Sequence, residues 1–204
     1  MDRIVSIWES GGLVMLPLFL LAVLLYGQAF QLVLYLRRAN LGEEDEVHWW
    51  AWIRSPEKAT GRIADIIRYT QGDVSSESHV RSRFEEVRVS LLALIDRRAR
   101  FVGTLVAAAP LLGLLGTVLG MLQTFLGIST SGGSETAGVV ATGISEALVT
   151  TQTGLTVALP GLFLVMLIMR KRHAIEARLA RLECLTLCHL KFAEEEAQRW
   201  PDAA

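Results

Sequence analysis

The sequence predicts an all-α membrane protein, with three transmembrane helices and long helical extensions on one side of the bilayer. Three observations carry this. The chain is 51% hydrophobic with a mean hydropathy of +0.39, and its apolar residues fall into long uncharged runs separated by strongly charged ones. From Phe101 to Met169 the only ionisable side chains are Glu135 and Glu146. With three spans, nineteen of the 20 Lys and Arg residues lie on one side.

Residues 1–12 read as a short leader carrying Asp2, Arg3 and Glu9. Residues 13–36 are then uncharged for 24 positions, enough to cross about 30 Å of hydrocarbon at roughly 1.5 Å per residue. The leader lacks a clear positive n-region and no A-x-A pattern follows the run, so an uncleaved first span is expected. Pro17 and Gly27 are tolerated in membrane helices.

Residues 37–100 form a soluble insert. An acidic run, Glu43–Glu46, precedes His48-Trp49-Trp50-Ala51-Trp52. These indoles either anchor at a membrane interface or pack between helices, and their size favours packing. Ile53–Tyr69 reads as one short helix and Gln71-Gly72-Asp73 as a break. From about Ser76 to Arg100 an amphipathic helix is predicted, with Val80, Phe84, Val87, Leu91 and Leu94 on one face. It runs without a breaker into the second span, residues 101–126.

A Ser/Thr/Gly loop at 127–138 leads to the third span at 139–169, where Arg170-Lys171-Arg172 marks the interface. Residues 170–204 predict a second amphipathic helix to about Gln198, with Ile175, Leu179, Leu182 and Phe192 on or near one face, then a frayed tail. Cys184 and Cys188 stand four apart. They read as core cysteines facing a neighbouring helix, because no Cys/His cluster completes a ligand set and His189 is off their shared face. No metal or cofactor is expected.

Orientation follows from the basic residues. One lies in the leader, twelve in the insert, none in the loop and seven after Met169. The positive-inside rule makes the insert and C-terminal helix cytoplasmic, with the N-terminus and loop outside. Eleven acids in the insert and six after Met169 nearly cancel those basics. With a net charge of −1, neither nucleic acid nor another polyanion is an expected partner.

The faces of the spans are informative. Ala109, Gly113, Gly116, Thr117, Gly120 and Thr124 recur at three- and four-residue steps, a small-residue stripe suited to close helix packing. Leu111, Leu112, Leu114, Leu115, Leu119 and Leu122 occupy the rest and suit lipid or a neighbouring subunit. In the third span Thr142, Glu146, Thr150 and Thr153 fall in one narrow sector, with Leu148, Leu155, Leu159, Leu162 and Phe163 opposite. An acid at a helix centre costs roughly 2.5–3.5 kcal/mol to insert and is by default functional. Residues 147–169 alone could span, which would leave Glu146 at the outer headgroup level. Against that, Thr150-Thr151-Gln152-Thr153 would be a costly run to show to lipid, which favours an interior acid. Pro160 predicts a kink and a freed carbonyl in need of a partner. If the chain conducts protons, one acid in three spans, with every histidine outside them, calls for a second carboxylate from elsewhere and suggests a pore built between copies or with a partner. The fold expected is therefore an oligomeric bundle around a central pore.

The two segments APLLGLLGTVLGM (109–121) and GISEALVTTQTGLTVALPG (143–161) resemble the ExbB/TolQ/MotA proton-channel family, and most the ExbB branch of TonB systems. The resemblance is strong over 101–169. It implies a homopentamer in a bacterial inner membrane whose pore encloses an ExbD/TolR-type single-span protein bearing an essential Asp. Proton flow would then drive a TonB- or TolA-type protein across the periplasm, the side on which the leader, residues 1–12, would lie. The family's second-span threonine falls on Thr117, its third-span glutamate on Glu146 and the following threonine on Thr151. Helical arithmetic aligns Thr150 with Glu146 better than Thr151, so both stay candidates. Gln152 stands where the family often has a small apolar residue. The leader and insert are shorter than in the best-known ExbB members. A MotA-type stator would have four spans and a larger insert, which makes that branch the weaker match.

The expected function is a proton-channel subunit that energises a TonB-type protein for outer-membrane transport. The alternatives are a TolQ-like subunit serving envelope integrity and a non-conducting membrane scaffold. An enzyme is not expected: no nucleophile–base pair, metal cluster or phosphate loop is present in the sequence.

Overall fold

The computed structural model describes residues 12, 14–38, 48–59, 61–72, 76–130 and 136–199. The acidic run Glu43–Glu46, nearly all of the leader, Glu135 and the tail from Trp200 lie outside the described residues. The described elements are α1 (Met15–Arg38), α2 (Trp49–Arg54), a 3-10 turn (Pro56–Lys58), α3 (Gly61–Gln71), α4 (Glu77–Thr130) and α5 (Thr136–Arg199). Among the described residues there is no strand. The helices α1, α4 and α5 are each long and apolar enough to cross a membrane. Contacts divide the chain into two units, Met1–Leu34 with Arg98–Ile168, and Tyr35–Arg97 with Met169–Ala204.

In the first unit α4 and α5 pack antiparallel. Gly113 meets Thr150 and Gly154, Gly116 meets Thr150, and Gly120 meets Gly143 and Ala147. A Cβ added at Gly113 would stand 3.0 Å from the Thr150 carbonyl oxygen, and one at Gly154 2.7 Å from that of Ala109. Spans in lipid gain nothing from hiding apolar surface from lipid, so this backbone-to-backbone packing is what holds the pair. Of the large apolar residues off this stripe, Leu111, Leu114, Leu148, Leu159 and Phe163 are exposed, while Leu112 is half-buried against the core shared with α1.

Helix α1 runs parallel to α5 and packs on both partners. Leu21, Leu25 and Ala29 form a core with Val102, Val106, Ala109 and Ala158. Gly161 lets this happen, since a Cβ there would lie 2.8 Å from Val106 Cγ2 and 3.2 Å from Leu25 Cδ2. Tyr26 Oη donates to the Val157 carbonyl at 3.0 Å. Pro160 lacks an N–H and frees the carbonyl four residues back, that of Thr156. The observed interhelical bond reaches the next carbonyl along the same turn.

In the second unit α2 packs on α3, and α3 meets the start of α4 through Tyr69, Arg83 and Glu86. Trp49, Ile53, Ile63, Ile67, Val80 and Phe84 are buried. Trp49 takes the packing role expected of the cluster, while Trp50 meets His189 edge-on and Trp52 stacks on His48. Arg83 closes the α3–α4 turn, donating 2.6 Å bonds to the Tyr69 and Gly72 carbonyls. Glu86 accepts a bond from Tyr69 Oη, which raises the phenol above its ordinary pKa. Further along, Arg172 of α5 makes a two-point bridge to Asp96 of α4, at 2.9 and 3.1 Å.

Four expectations need correction. Ile53–Tyr69 is not one helix. Before Pro56, Ser55 leaves the helical region at φ −137° and ψ 79°, and α3 starts only at Gly61, whose φ is +76°. On α4 the buried line passes through Leu92 and Ile95, leaving Leu94 37% exposed. Steps of 3.6 residues from Val80 lead to about 91, 94 and 98, whereas the buried line at Leu92, Ile95 and Ala99 runs about one position further on. On α5 Phe192 is exposed, the buried line having moved to Thr186 and Leu187. For the same reason Cys184 and Cys188 are exposed free thiols, not core residues. They edge a hollow of about 320 Å³ with Glu77, Arg81 and Lys191.

The helices also extend beyond the expected spans. Residues 127–130 are the last turn of α4, and α5 continues through Arg170-Lys171-Arg172 without a break. A hydrogen-bonded helix has no need to stop where hydrocarbon does.

The glycine contact gives a direct test. Gly154→Ala should destabilise the protein by about 1–3 kcal/mol, the usual cost of overpacking. Gly27→Ala should cost far less, because a Cβ there has no neighbour within 4 Å in this chain. Detergent unfolding midpoints of the two variants check this.

Candidate functional site

Glu146 lies on α5 in its third turn and is half-buried. It edges a cleft of about 440 Å³ together with Gln123 and Thr124 of α4 and Gly138, Val139, Thr142 and Gly143 of α5. Small residues make the cleft. Gly143 is tight against Thr124, whose Oγ1 donates to its own helix at Gly120 O, 2.9 Å away. On the side of α1, the backbone of Gly12 comes up to the Glu146 carboxyl.

One turn along α5 from the acid, Thr150 is fully buried in the glycine contact. A Cβ on Gly116 would overlap the Thr150 side chain, so glycine at 116 is what admits that threonine. The Thr150 hydroxyl donates to Ala147 O at 2.9 Å and reaches towards Gly113 O at 3.5 Å. Thr151 donates to the same Gly113 carbonyl at 3.2 Å and contacts Ala147 O at 3.3 Å. The two threonines therefore share one acceptor on the neighbouring helix. Their two positions are interlocked.

The remaining candidates separate. Thr142 shares the cleft with Glu146, is exposed, and bonds back to Gly138 O at 2.9 Å. Thr153 is half-buried and bonds to Val149 O at 2.8 Å. Thr117, half-buried on α4, bonds to Leu114 O at 2.7 Å. Neither Thr117 nor Thr153 edges the cleft. Gly113, Gly116 and Gly120 are all buried at the contact. Gln152 is exposed.

The structure adds Gln123, Thr124, Gly143 and Gly12 to the neighbourhood of the acid. Gln123 carried a signal, as the one amide in the second span. Thr124 lay on the small-residue stripe. Gly12 is more than 130 positions from Glu146, and no local pattern joins them.

These features define a polytopic α-helical membrane protein whose third long helix presents one acid to a polar cleft. Residues 61–181 match the MotA/TolQ/ExbB proton channel family, and the chain belongs to that family. The chain is 30% identical to the biopolymer transport protein ExbB-like 1 of Synechocystis over 178 residues, which is 77% of this chain and 67% of that one. It is 50% identical to the biopolymer transport protein exbB1 of Vibrio cholerae over 52 residues, 26% of this chain and 23% of that one. With the Tol-Pal system protein TolQ of Haemophilus influenzae it shares 34% identity over 82 residues, 40% of this chain and 36% of that one. The matches to the last two thus span well under half of either relative.

The buried threonine can be tested against the glycine beside it. Thr150→Val keeps the shape and loses the hydroxyl, at an expected cost of about 0.5–1.5 kcal/mol. Gly116→Ala should cost more, because the added methyl collides with Thr150. Unfolding in a denaturing detergent titration orders the two.

Proposed function

We propose that this protein is a proton-channel subunit of a motor driven by the proton-motive force, working in the ExbB manner on a TonB-type protein. The observation that carries the reading is Glu146: the one acid in the apolar part of α5, half-buried beside a cleft edged by Thr142, Gln123 and Thr124. An acid so placed faces a bundle interior or a water-filled cavity in membrane proteins generally. The exposed leucines around it favour assembly of several copies, a homopentamer in this reading. An ExbD/TolR-type single-span protein would occupy the central pore and contribute a membrane aspartate. That aspartate would exchange protons while making polar contacts to Glu146 and Thr117.

In this reading the protein sits in a bacterial inner membrane with its N-terminus periplasmic and its C-terminus cytoplasmic, as the basic residues favour. The sites that move protons are Glu146 with Thr142 at the cleft, and Thr117, Thr150, Thr151 and Thr153 nearby. Gly113, Gly116 and Gly120 hold the helices that carry them. A TolQ-like role in envelope integrity has support of its own in the similarity to TolQ.

The test is proton flux into vesicles containing the complex. Glu146→Ala should reduce flux by at least about tenfold, corresponding to some 1.4 kcal/mol in the barrier, with oligomer assembly retained. Undiminished flux in that variant would remove Glu146 from the pathway.

A further inference from the structure

We propose that Gly12 is a positioning residue for Glu146, closing one side of the acid with the chain's own backbone. The inference rests on the pathway reading of Glu146 given above. A Cβ built on Gly12 would overlap Glu146 Oε1 and would stand 2.5 Å from Cδ and 3.3 Å from Cγ. All three nearest atoms belong to that one side chain. Gly12 also has φ +61°, a left-handed conformation that side chains other than Asn and Asp rarely adopt. Two separate demands, space and backbone conformation, thus select glycine at the same position.

The turn cannot easily retreat. The Met15 N–H bonds to Gly12 O at 3.2 Å, tying the turn to the first residues of α1. Helix α1 is in turn fixed by Leu18 and Leu25, both buried, and by the 3.0 Å bond from Tyr26 to Val157 O. The carboxyl is therefore bounded by backbone on the α1 side and faces the cleft of Gln123 and Thr142 on another. Without that boundary the carboxyl would have a second place to go, and it would spend less time towards the cleft. Gly12 acts by restricting the acid, and takes no proton itself.

The experiment reads the acid directly. The full-length protein in its native membrane is treated with dicyclohexylcarbodiimide, and modification of Glu146 is followed by peptide mass spectrometry from pH 5 to 8. Gly12→Ala introduces both the collision and the backbone strain, whereas Gly12→Asn tolerates the φ and keeps the collision. Both should change the Glu146 labelling rate by at least about fivefold, the scale on which residues in direct contact couple, and both should shift its pH profile. Gly27→Ala within α1 should match the unsubstituted protein. Labelling and pH profiles unchanged in both Gly12 variants would overturn the proposal. If the Gly12 variants fail to accumulate, Gly12→Asn, which tolerates the φ, combined with the shorter acid of Glu146→Asp decides: recovered yield supports the collision, and no recovery overturns it. Labelling does not depend on conduction. Altered labelling alongside full proton flux in Glu146→Ala would keep the positioning role and reject the pathway role.

Discussion

The contact on which the membrane unit depends is the one between Gly113, Gly116 and Gly120 of α4 and Gly143, Thr150 and Gly154 of α5. Lipid offers no hydrophobic reward for joining two apolar helices, so close backbone approach has to supply the attraction. Once the backbones meet, polar groups have few places left. Thr150 and Thr151 fit only where α4 offers glycine, and they turn to the Gly113 carbonyl. Towards the start of α5 the small residues no longer fill the space between the helices. A cleft opens there, and Glu146 stands at its edge.

Seen this way, the acid and the glycines answer to one constraint. A carboxyl carried on a span is expensive unless the protein supplies a polar or wet neighbourhood. The proposed motor gives that expense a purpose, with a partner's aspartate meeting Glu146 across the pore of an oligomer. The scaffold alternative accounts for the glycines equally well. It leaves the acid unexplained, along with the amide of Gln123 and the hydroxyl of Thr142 that share its cleft.

The spans and the glycine stripe were legible in the sequence because both are local and periodic. Stretches free of charge announced three long helices, and small residues at three- and four-residue steps announced the buried line from Ala109 to Thr124. What was lost is a matter of phase and of distance. Over long helices such as α4 and α5 the buried line drifts from a straight 3.6-residue period, which puts Leu94, Phe192, Cys184 and Cys188 outside it. Pro56 and Gly61 were each visible, but the apolar pattern across them read as one helix. Thr150 was assigned to a ladder with Glu146, yet it is sealed in the contact while Thr142 remains open. That difference depends on which neighbour lies opposite. The approach of Gly12 to Glu146 is tertiary throughout, and only packing of α1 against α5 brings it about.

The central claim, that this chain works as one subunit of a partnered proton-driven assembly, is tested most directly by native mass spectrometry of the complex gently extracted from its membrane. The expected result is five copies of this chain with one or two copies of a small single-span protein carrying a membrane aspartate. An oligomer that contains no such companion would contradict it, and would favour a scaffold.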